Sequence, residues 1–132
     1  PAFPNAAAVR AVVEGQFLPL RRHSGALGLV PRKLLATGGA SVNPYLLQIL
    51  ADVFGVPVHV GSVPASAALG AALRALHGWR CAQARAFIPF ARAVRPATGV
   101  AKACDPIPAH HRIYDALQPR AARLERRLAG NG

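Results

Sequence analysis

The sequence contains one segment, Thr37-Gly38-Gly39-Ala40-Ser41-Val42-Asn43, whose residue types and spacing suit ligand chemistry. It follows a short apolar run and precedes Asn43-Pro44, which is typical of a helix start because Asn caps backbone N–H groups and Pro fits the first turn. Glycines between a parallel strand and a helix let the backbone approach a ligand, and ligands of open α/β sheets bind beyond the carboxyl ends of the strands. The segment matches neither the GxGxxG fingerprint nor the Walker A loop. The pattern alone leaves two interpretations open, a nucleotide site and an ordinary strand-to-helix turn.

The other side chains capable of chemistry give weaker signals. His110 and His111 are adjacent and should point apart on a helix or strand, so we expect surface residues rather than a metal site. His59 and His77 are lone histidines and are expected to be structural. The two cysteines lack metal-ligand spacing and are predicted to be free thiols. The five carboxylates are scattered, so we predict no catalytic residue and no metal site in this chain.

The first predicted element before the glycine segment is a helix. Asn5 to about His23 has apolar residues at helical spacing, and Pro19 should kink or end this helix. Ser24 to Val30 is predicted to be a loop. Lys33 to Thr37 is a short apolar run that ends in glycine, which favours a buried parallel strand over a helix.

After the glycines, the pattern predicts helix, strand and helix again. Asn43 opens a helix whose apolar stripe ends at Gly55, a residue suited to a left-handed cap. Val56 to Val60 alternates valine with proline and histidine, which indicates a second strand near a sheet edge. Ser66 to His77 is predicted to be a small-residue helix closed by Gly78. This order predicts an α/β fold with a β-α-β unit and a right-handed crossover.

The remainder of the chain differs in its proline content and its hydrophobic periodicity. Residues 80–108 carry four prolines and no clean period, so we predict a linker or a tail on the surface. A last helix is expected from about Arg112, restarted by Pro119. The predicted units are residues 1–78, 79–110 and 111–132.

Composition and charge limit the class of protein. The chain has 132 residues, 52% of them hydrophobic, and a formal net charge of +11. Such a charge is the usual footprint of nucleic-acid binding, but the basic residues are not interleaved with aromatic ones. A basic nucleic-acid-binding or non-catalytic interaction module therefore stays the alternative. The longest uncharged stretch, Val53 to Leu73, is interrupted by glycine and proline, so we expect no membrane protein.

The two predicted strands are too few for a stable sheet. The sequence has no initiator Met and no signal-peptide pattern at its start. We therefore expect a piece of a longer protein, with most of the sheet in a missing N-terminal part. The chain alone should be marginally stable, without a cooperative melt above about 60 °C.

A resemblance extends these inferences. The stretch LLATGGASVNPYLLQILADVFGVPVHVGSVPASAALGAALRALHG, residues 34–78, resembles the adenosine-motif region of the FGGY carbohydrate kinases. Upstream, RAVVEG at residues 10–15 resembles the family's RAxxEG helix. YDALQPRAARLERRL, residues 114–128, is similar to the C-terminal helix of family members that act on D-xylulose. The implied fold is the C-terminal part of an actin/hexokinase-like (ribonuclease H-like) kinase domain, truncated at its N-terminal side.

The resemblance assigns roles to particular residues. Gly38 and Gly39 match the glycine pair that lies against the adenosine of ATP, and Asn43 matches a polar contact to the base. Gly70-Ala71 lies in the helix whose small residues allow close packing near the interdomain hinge. Asp52 matches a structural position at the end of a helix.

The implied activity is ATP-dependent phosphorylation of a sugar, with D-xylulose the expected acceptor and other sugars of the family left open. The family's phosphate loops, sugar-binding residues and catalytic aspartate have no counterpart here, so the chain alone is expected to be inactive. ATP and Mg²⁺ are the implied cofactors, with Mg²⁺ held mainly by the missing part. The implied location is cytoplasmic, and the oligomeric state is left open.

Overall fold

The computed structural model describes residues 5–63, 65–94 and 99–130. The elements are α1 (Asn5–Ala26), β1 (Leu34–Ala36), a 3-10 helix (Gly39–Val42), α2 (Pro44–Phe54), β2 (Val58–Gly61), α3 (Ser66–Ala84), α4 (Phe90–Ala93), β3 (Val100–Cys104) and α5 (Pro108–Leu128). One small sheet among helices confirms the α/β class. The division into three units stays a prediction, and the parts of those units at residues 1–4, 64, 95–98 and 131–132 lie outside the described residues.

The predicted β-α-β unit is present. β1 and β2 pair in parallel, with Leu34 opposite Val58, and α2 connects them. The side-chain oxygen of Asn43 caps α2. Gly55 follows the helix with φ +70° and ψ +23°, the left-handed cap that the glycine predicts.

The first helix is longer than predicted. α1 runs through Pro19 and ends at Ala26, so the prediction of a helix end at Pro19 is wrong, and the kink stays a prediction. The loop predicted over Ser24 to Val30 begins only after Ala26. A proline inside a helix costs about 3 kcal/mol. The core outweighs this cost because Leu18 is buried beside the proline, and Phe17 packs against the same cluster.

The second predicted strand lies in a different place from the one expected. β2 is the middle strand of the sheet, between β1 and β3, and not a strand near the edge. β3 pairs with β2 in an antiparallel arrangement, with Val58 opposite Cys104. Pro57 precedes β2, so its missing N–H removes no bond from the ladder.

The region predicted to be a linker carries regular structure. α3 continues past Gly78 to Ala84, and α4 and β3 follow. The prediction of an irregular segment over 80–108 is therefore wrong for most of its length. β3 has no buried residue apart from the half-buried Cys104, so its sequence lacks the alternation that would have revealed it.

The last helix also differs from the prediction. α5 begins at Pro108 and passes through Pro119 without a restart. Tyr114, Leu117 and Ala121 pack on one cluster from both sides of this proline. As in α1, packing along one face keeps the helix continuous.

The core lies on both sides of α2. One buried cluster joins Leu18 of α1, Val53 of α2 and Tyr114 of α5. The other joins α2 to the sheet and consists of Leu47, Ala51 and Val58. α2 is therefore the helix around which α1, α5 and the sheet are arranged, and the glycine segment leads directly into it.

Candidate functional site

The glycine pair stands at the carboxyl end of β1, where the chain turns into the 3-10 helix. Gly38 has φ +84° and ψ −174°, a conformation that side-chain-bearing residues rarely adopt. Its carbonyl oxygen accepts the Ser41 hydroxyl at 2.6 Å and the Ser41 N–H at 3.1 Å. A Cβ at Gly38 or Gly39 would meet no atom of the described chain within 4 Å. The turn is fixed from within, and its outer side is open to a ligand.

Asn43 sits where the turn enters α2. Its Oδ1 accepts the backbone N–H groups of Tyr45 at 3.0 Å and Leu46 at 3.4 Å. This cap uses the oxygen of the carboxamide and leaves the donor end of the same group to other partners. Asn43 is exposed, so a ligand can reach that end.

A cavity of about 580 Å³ begins at Asn43. It lies between the N-terminal part of α1 and the start of α2. Its lining residues are Asn5, Ala6, Val9, Arg10, Val13, Asn43, Tyr45, Leu46 and Ile49. A smaller cavity of about 200 Å³ lies beside the turn, against Thr37 and Ser41. Ligand sites are concave and mostly apolar with a few polar groups, and the larger cavity has this character.

A polar network supports one wall of the large cavity. Arg10 Nε donates to Glu14 Oε1 at 2.8 Å, and its Nη2 donates to the Tyr114 hydroxyl at 2.8 Å. That hydroxyl donates to Glu14 Oε1 at 2.7 Å. These bonds raise the pKa of Arg10, and burial, followed by the bond to Glu14, raises the pKa of Tyr114. Sequence reasoning missed this network because Tyr114 is 100 residues from Glu14 in the chain.

A second network gathers at the end of α2. Asp52 is only 1% exposed, and its Oδ1 accepts the side chain of Gln48 at 2.8 Å and the N–H of Ile107 at 2.7 Å. His110 Nδ1 donates to Asp52 Oδ2 at 2.9 Å, and His111 Nδ1 donates to the Asp52 carbonyl at 2.9 Å. The prediction that the two histidines diverge on the surface is therefore wrong, because both anchor α5 to one residue. These bonds give Asp52 the structural surroundings that were expected.

His77 has a hydrogen-bond partner nearby in the chain, whereas Nδ1 of the His59 ring is buried without a partner among the described residues. His77 is buried, and its Nε2 donates to the Ile88 carbonyl at 2.7 Å, which confirms a structural role. Cys81 and Cys104 are free, as predicted. Burial, followed by the charges of two nearby aspartates, raises the pKa of the Cys104 thiol. Within residues 5–63, 65–94 and 99–130, no three potential metal ligands come together.

α3 holds the remaining predicted position. Gly70 is exposed, and a Cβ there would meet no atom of the described residues within 4 Å. The close packing expected at Gly70-Ala71 therefore stays a prediction. No helix in the described ranges combines the length and apolar character that a membrane crossing requires.

The parallel β-α-β unit with an open glycine turn defines an α/β domain. Residues 2–79 match the C-terminal domain of the FGGY family of carbohydrate kinases, so the chain belongs to this family. Among its relatives are two proteins named xylulose kinase, 45% identical in Rattus norvegicus and 43% identical in Mus musculus, each over an alignment of 130 residues that covers 96% of this chain. Xylulose kinase 2 of Arabidopsis thaliana is 46% identical over 84 residues, 62% of this chain and 15% of that protein.

The chain spans about a quarter of its two mammalian relatives, 24% of the rat protein and 23% of the mouse protein. The match covers the glycine turn, α2 and most of α3. The similarity to the mammalian proteins extends over α5 as well. The contacts of Gly38, Gly39 and Asn43 with a nucleotide stay predictions.

Proposed function

We propose that this chain is the adenosine-binding side of a sugar kinase that transfers the γ-phosphoryl group of ATP to D-xylulose, giving D-xylulose 5-phosphate. Membership of the FGGY carbohydrate kinases supports the reaction class. The names of the mammalian relatives support the sugar. We infer a cytoplasmic location, where such a kinase meets ATP and free sugar.

The open glycine turn carries the proposal for this chain. At Gly38 the backbone requires glycine because its φ is +84°. At Gly39 neither the local space nor a positive φ requires it, so a ligand is the better reason for glycine there. The exposed carboxamide of Asn43 lies a few residues further on, at the mouth of the large cavity. These features suit an adenosine that rests on the turn and accepts a hydrogen bond from Asn43.

The phosphoryl chemistry belongs to other parts of the proposed enzyme. Phosphoryl transfer depends on metal ions, phosphate-binding loops and a group that orients the acceptor. Among the described carboxylates, Asp52 is engaged in holding α5, and Glu14 is engaged with Arg10 and Tyr114. We therefore expect the 132-residue chain alone to show no kinase activity and Mg²⁺ to be held mainly outside it.

Gly39→Val in the full-length enzyme tests the adenosine site. A side chain at this position enters open space, so the melting temperature should stay near that of the wild type. The KM for ATP should rise at least tenfold, because the side chain occupies the place of the ligand. The KM for D-xylulose should not change. A fall in melting temperature with an unchanged KM for ATP would identify the glycines as residues of an ordinary turn.

Two substitutions separate the two roles of Asn43. Asn43→Ala removes the cap and the proposed base contact, each worth about 1 kcal/mol. Asn43→Asp keeps an oxygen to cap α2 but loses the amide donor. We expect Asn43→Asp to melt like the wild type and still to raise the KM for ATP about fivefold. Equal ATP kinetics in the wild type and Asn43→Asp would leave only the capping role.

The acceptor sugar is tested by comparing kcat/KM for D-xylulose, D-ribulose, gluconate and glycerol in the full-length enzyme. We expect D-xylulose to be preferred. A preference for another of these acceptors would keep the kinase class and overturn the sugar.

A basic nucleic-acid-binding module remains the alternative. Arg120, Arg123 and Arg127 line one shallow cavity on α5, and this group of like charges favours an anionic partner. Fluorescence polarisation with labelled DNA and RNA at 50 and 200 mM salt distinguishes the two functions, because binding through several phosphates weakens steeply with salt. Tight and salt-sensitive binding would favour the module.

A further inference from the structure

The large cavity beside Asn43 contains an aromatic ring that the core does not need. Tyr45 is 80% exposed although it belongs to the first turn of α2. Its backbone N–H is held by the Asn43 cap, so the ring is carried by a fixed backbone. An exposed aromatic side chain on the wall of a cavity of about 580 Å³ is available to a ligand.

The opposite wall of this cavity comes from α1. Ala6, Val9 and Val13 line it on successive turns, and Val9 is 66% exposed. Arg10 lies on the same wall, but its guanidinium is engaged by Glu14 and Tyr114. The cavity therefore presents an aromatic ring, aliphatic walls and the carboxamides of Asn5 and Asn43. A flat heteroaromatic ring with hydrogen-bonding edges fits this chemistry better than a sugar or a phosphate does.

We propose that the cavity holds the nucleobase and that Tyr45 is a base-binding residue whose ring stacks on it, with Val9 on the opposite wall. This inference rests on the proposed function and adds to it the residues that receive the base. The glycine turn and Asn43 account for the backbone approach and for one hydrogen bond. Tyr45 and Val9 account for the faces of the base, which is where most of its apolar surface lies.

The stack has a testable consequence for specificity. Every base offers a π face, so a stack strengthens binding without selecting one base. Loss of the Tyr45 ring should therefore weaken the binding of ADP and of GDP by similar factors. The binding of tripolyphosphate, which has no base, should not change.

The experiment measures dissociation constants of the full-length enzyme for ADP, GDP and tripolyphosphate by calorimetry. We expect Tyr45→Ala to weaken ADP and GDP about tenfold each, within the range of one lost stack, and Tyr45→Phe to bind like the wild type. Trp79→Ala, which removes another exposed aromatic ring, is the control and should leave all three constants unchanged.

A second variant probes the opposite wall. Val9→Trp puts a large side chain into the cavity from an exposed position, so it should weaken ADP at least tenfold with little change in melting temperature. Unchanged ADP binding in both Tyr45→Ala and Val9→Trp would overturn the inference. Equal weakening of ADP and tripolyphosphate by Tyr45→Ala would overturn the stack as well.

The four variants distinguish failure of this inference from failure of the proposed adenosine-binding role. If Gly39→Val and Asn43→Asp weaken ADP but Tyr45→Ala and Val9→Trp do not, the adenosine turn stands and the base lies elsewhere. If none of the four variants changes ADP binding, the inference and the adenosine-binding role both fail.

Discussion

α2 follows β1 and α3 follows β2, but the two helices differ in composition and in what surrounds them. α2 has four buried residues in 11 and packs against α1, α5 and the sheet. α3 has 19 residues, of which only His77 is buried, and its main neighbour among the described elements is the short α4. The side chains explain part of this difference. Leucine and valine supply the contacts of α2, whereas the alanines of α3 bury little area per residue.

The comparison shows that an apolar helix is not necessarily a core helix. α2 lies between two partners because the chain returns to it twice, first through β2 and then through α5. α3 receives no such return from the described residues. Substitutions in α2 should therefore be costly, and matched substitutions in α3 should be mild.

The largest difference is expected for a pair of leucines. Leu47 of α2 is 8% exposed and Leu76 of α3 is 37% exposed. Leu47→Ala should lower the free energy of unfolding by about 3 kcal/mol because it leaves a cavity in the core. Leu76→Ala should cost less than about 1 kcal/mol. Urea unfolding of the 132-residue chain measures both.

Equal losses in the two variants would contradict the comparison. Repeating the measurement in the full-length protein sharpens it. A cost for Leu76→Ala that appears only there would show that α3 has a partner outside this chain.

A pair of glycines should respond in opposite directions. At Gly55 the φ is +70° and a Cβ would lie 2.4 Å from the ring of His111. Gly55→Ala should therefore destabilise the chain by about 2 kcal/mol, through left-handed strain and displacement of that ring. Gly78 lies within α3 with open space for a Cβ, so Gly78→Ala should stabilise by about 0.5–1 kcal/mol. Thermal melts of the two variants test this, and a loss at both positions would show that α3 is more confined than its surroundings indicate.

The network on the α2 side of the molecule should respond to Tyr114→Phe. The change removes the hydroxyl bonds to Arg10 and Glu14 and should cost about 1–2 kcal/mol. The pKa of Tyr114 is raised above 10.0 in the folded chain. A raised pKa means that the contribution of this group is complete below pH 10 and is lost as the pH rises through the folded pKa. Unfolding measured from pH 8 to 11 should show this loss in the wild type and not in Tyr114→Phe; parallel profiles would refute it.

The smallest effect is expected at the exposed edge of the same region. Glu125 of α5 accepts hydrogen bonds from His23 and Arg22 of α1, and these bonds, His23 first, lower its pKa below 4.5. A lowered pKa means that the stabilisation is present above about pH 4.5 and is lost as the pH falls through the folded value. Because the pair is exposed, Glu125→Gln should flatten the acid side of the stability profile only slightly. A large loss of pH dependence in Glu125→Gln would mean that these exposed contacts stabilise the fold as much as the core around α2 does.

The sequence by itself predicted much of the region around α2. Asn43 and Gly55 mark the two ends of this helix because capping is a local property of the backbone. The short apolar run before the glycines predicted β1, and the resemblance identified the family. The glycine turn could be chosen as a candidate site because residue type alone shows where the backbone can approach a ligand.

Tertiary structure decided the rest. α5 continues through Pro119 because it packs on one cluster from both sides of this proline. α1 continues through Pro19 because Leu18 is buried before the proline and Arg21 binds Asp115 of α5 after it. β3 forms because β2 offers it an edge, and His110 reaches Asp52 because α5 returns to the end of α2. A single sequence shows which conformations each segment tolerates, whereas partners that are 50 or 100 residues apart meet only when the chain has folded.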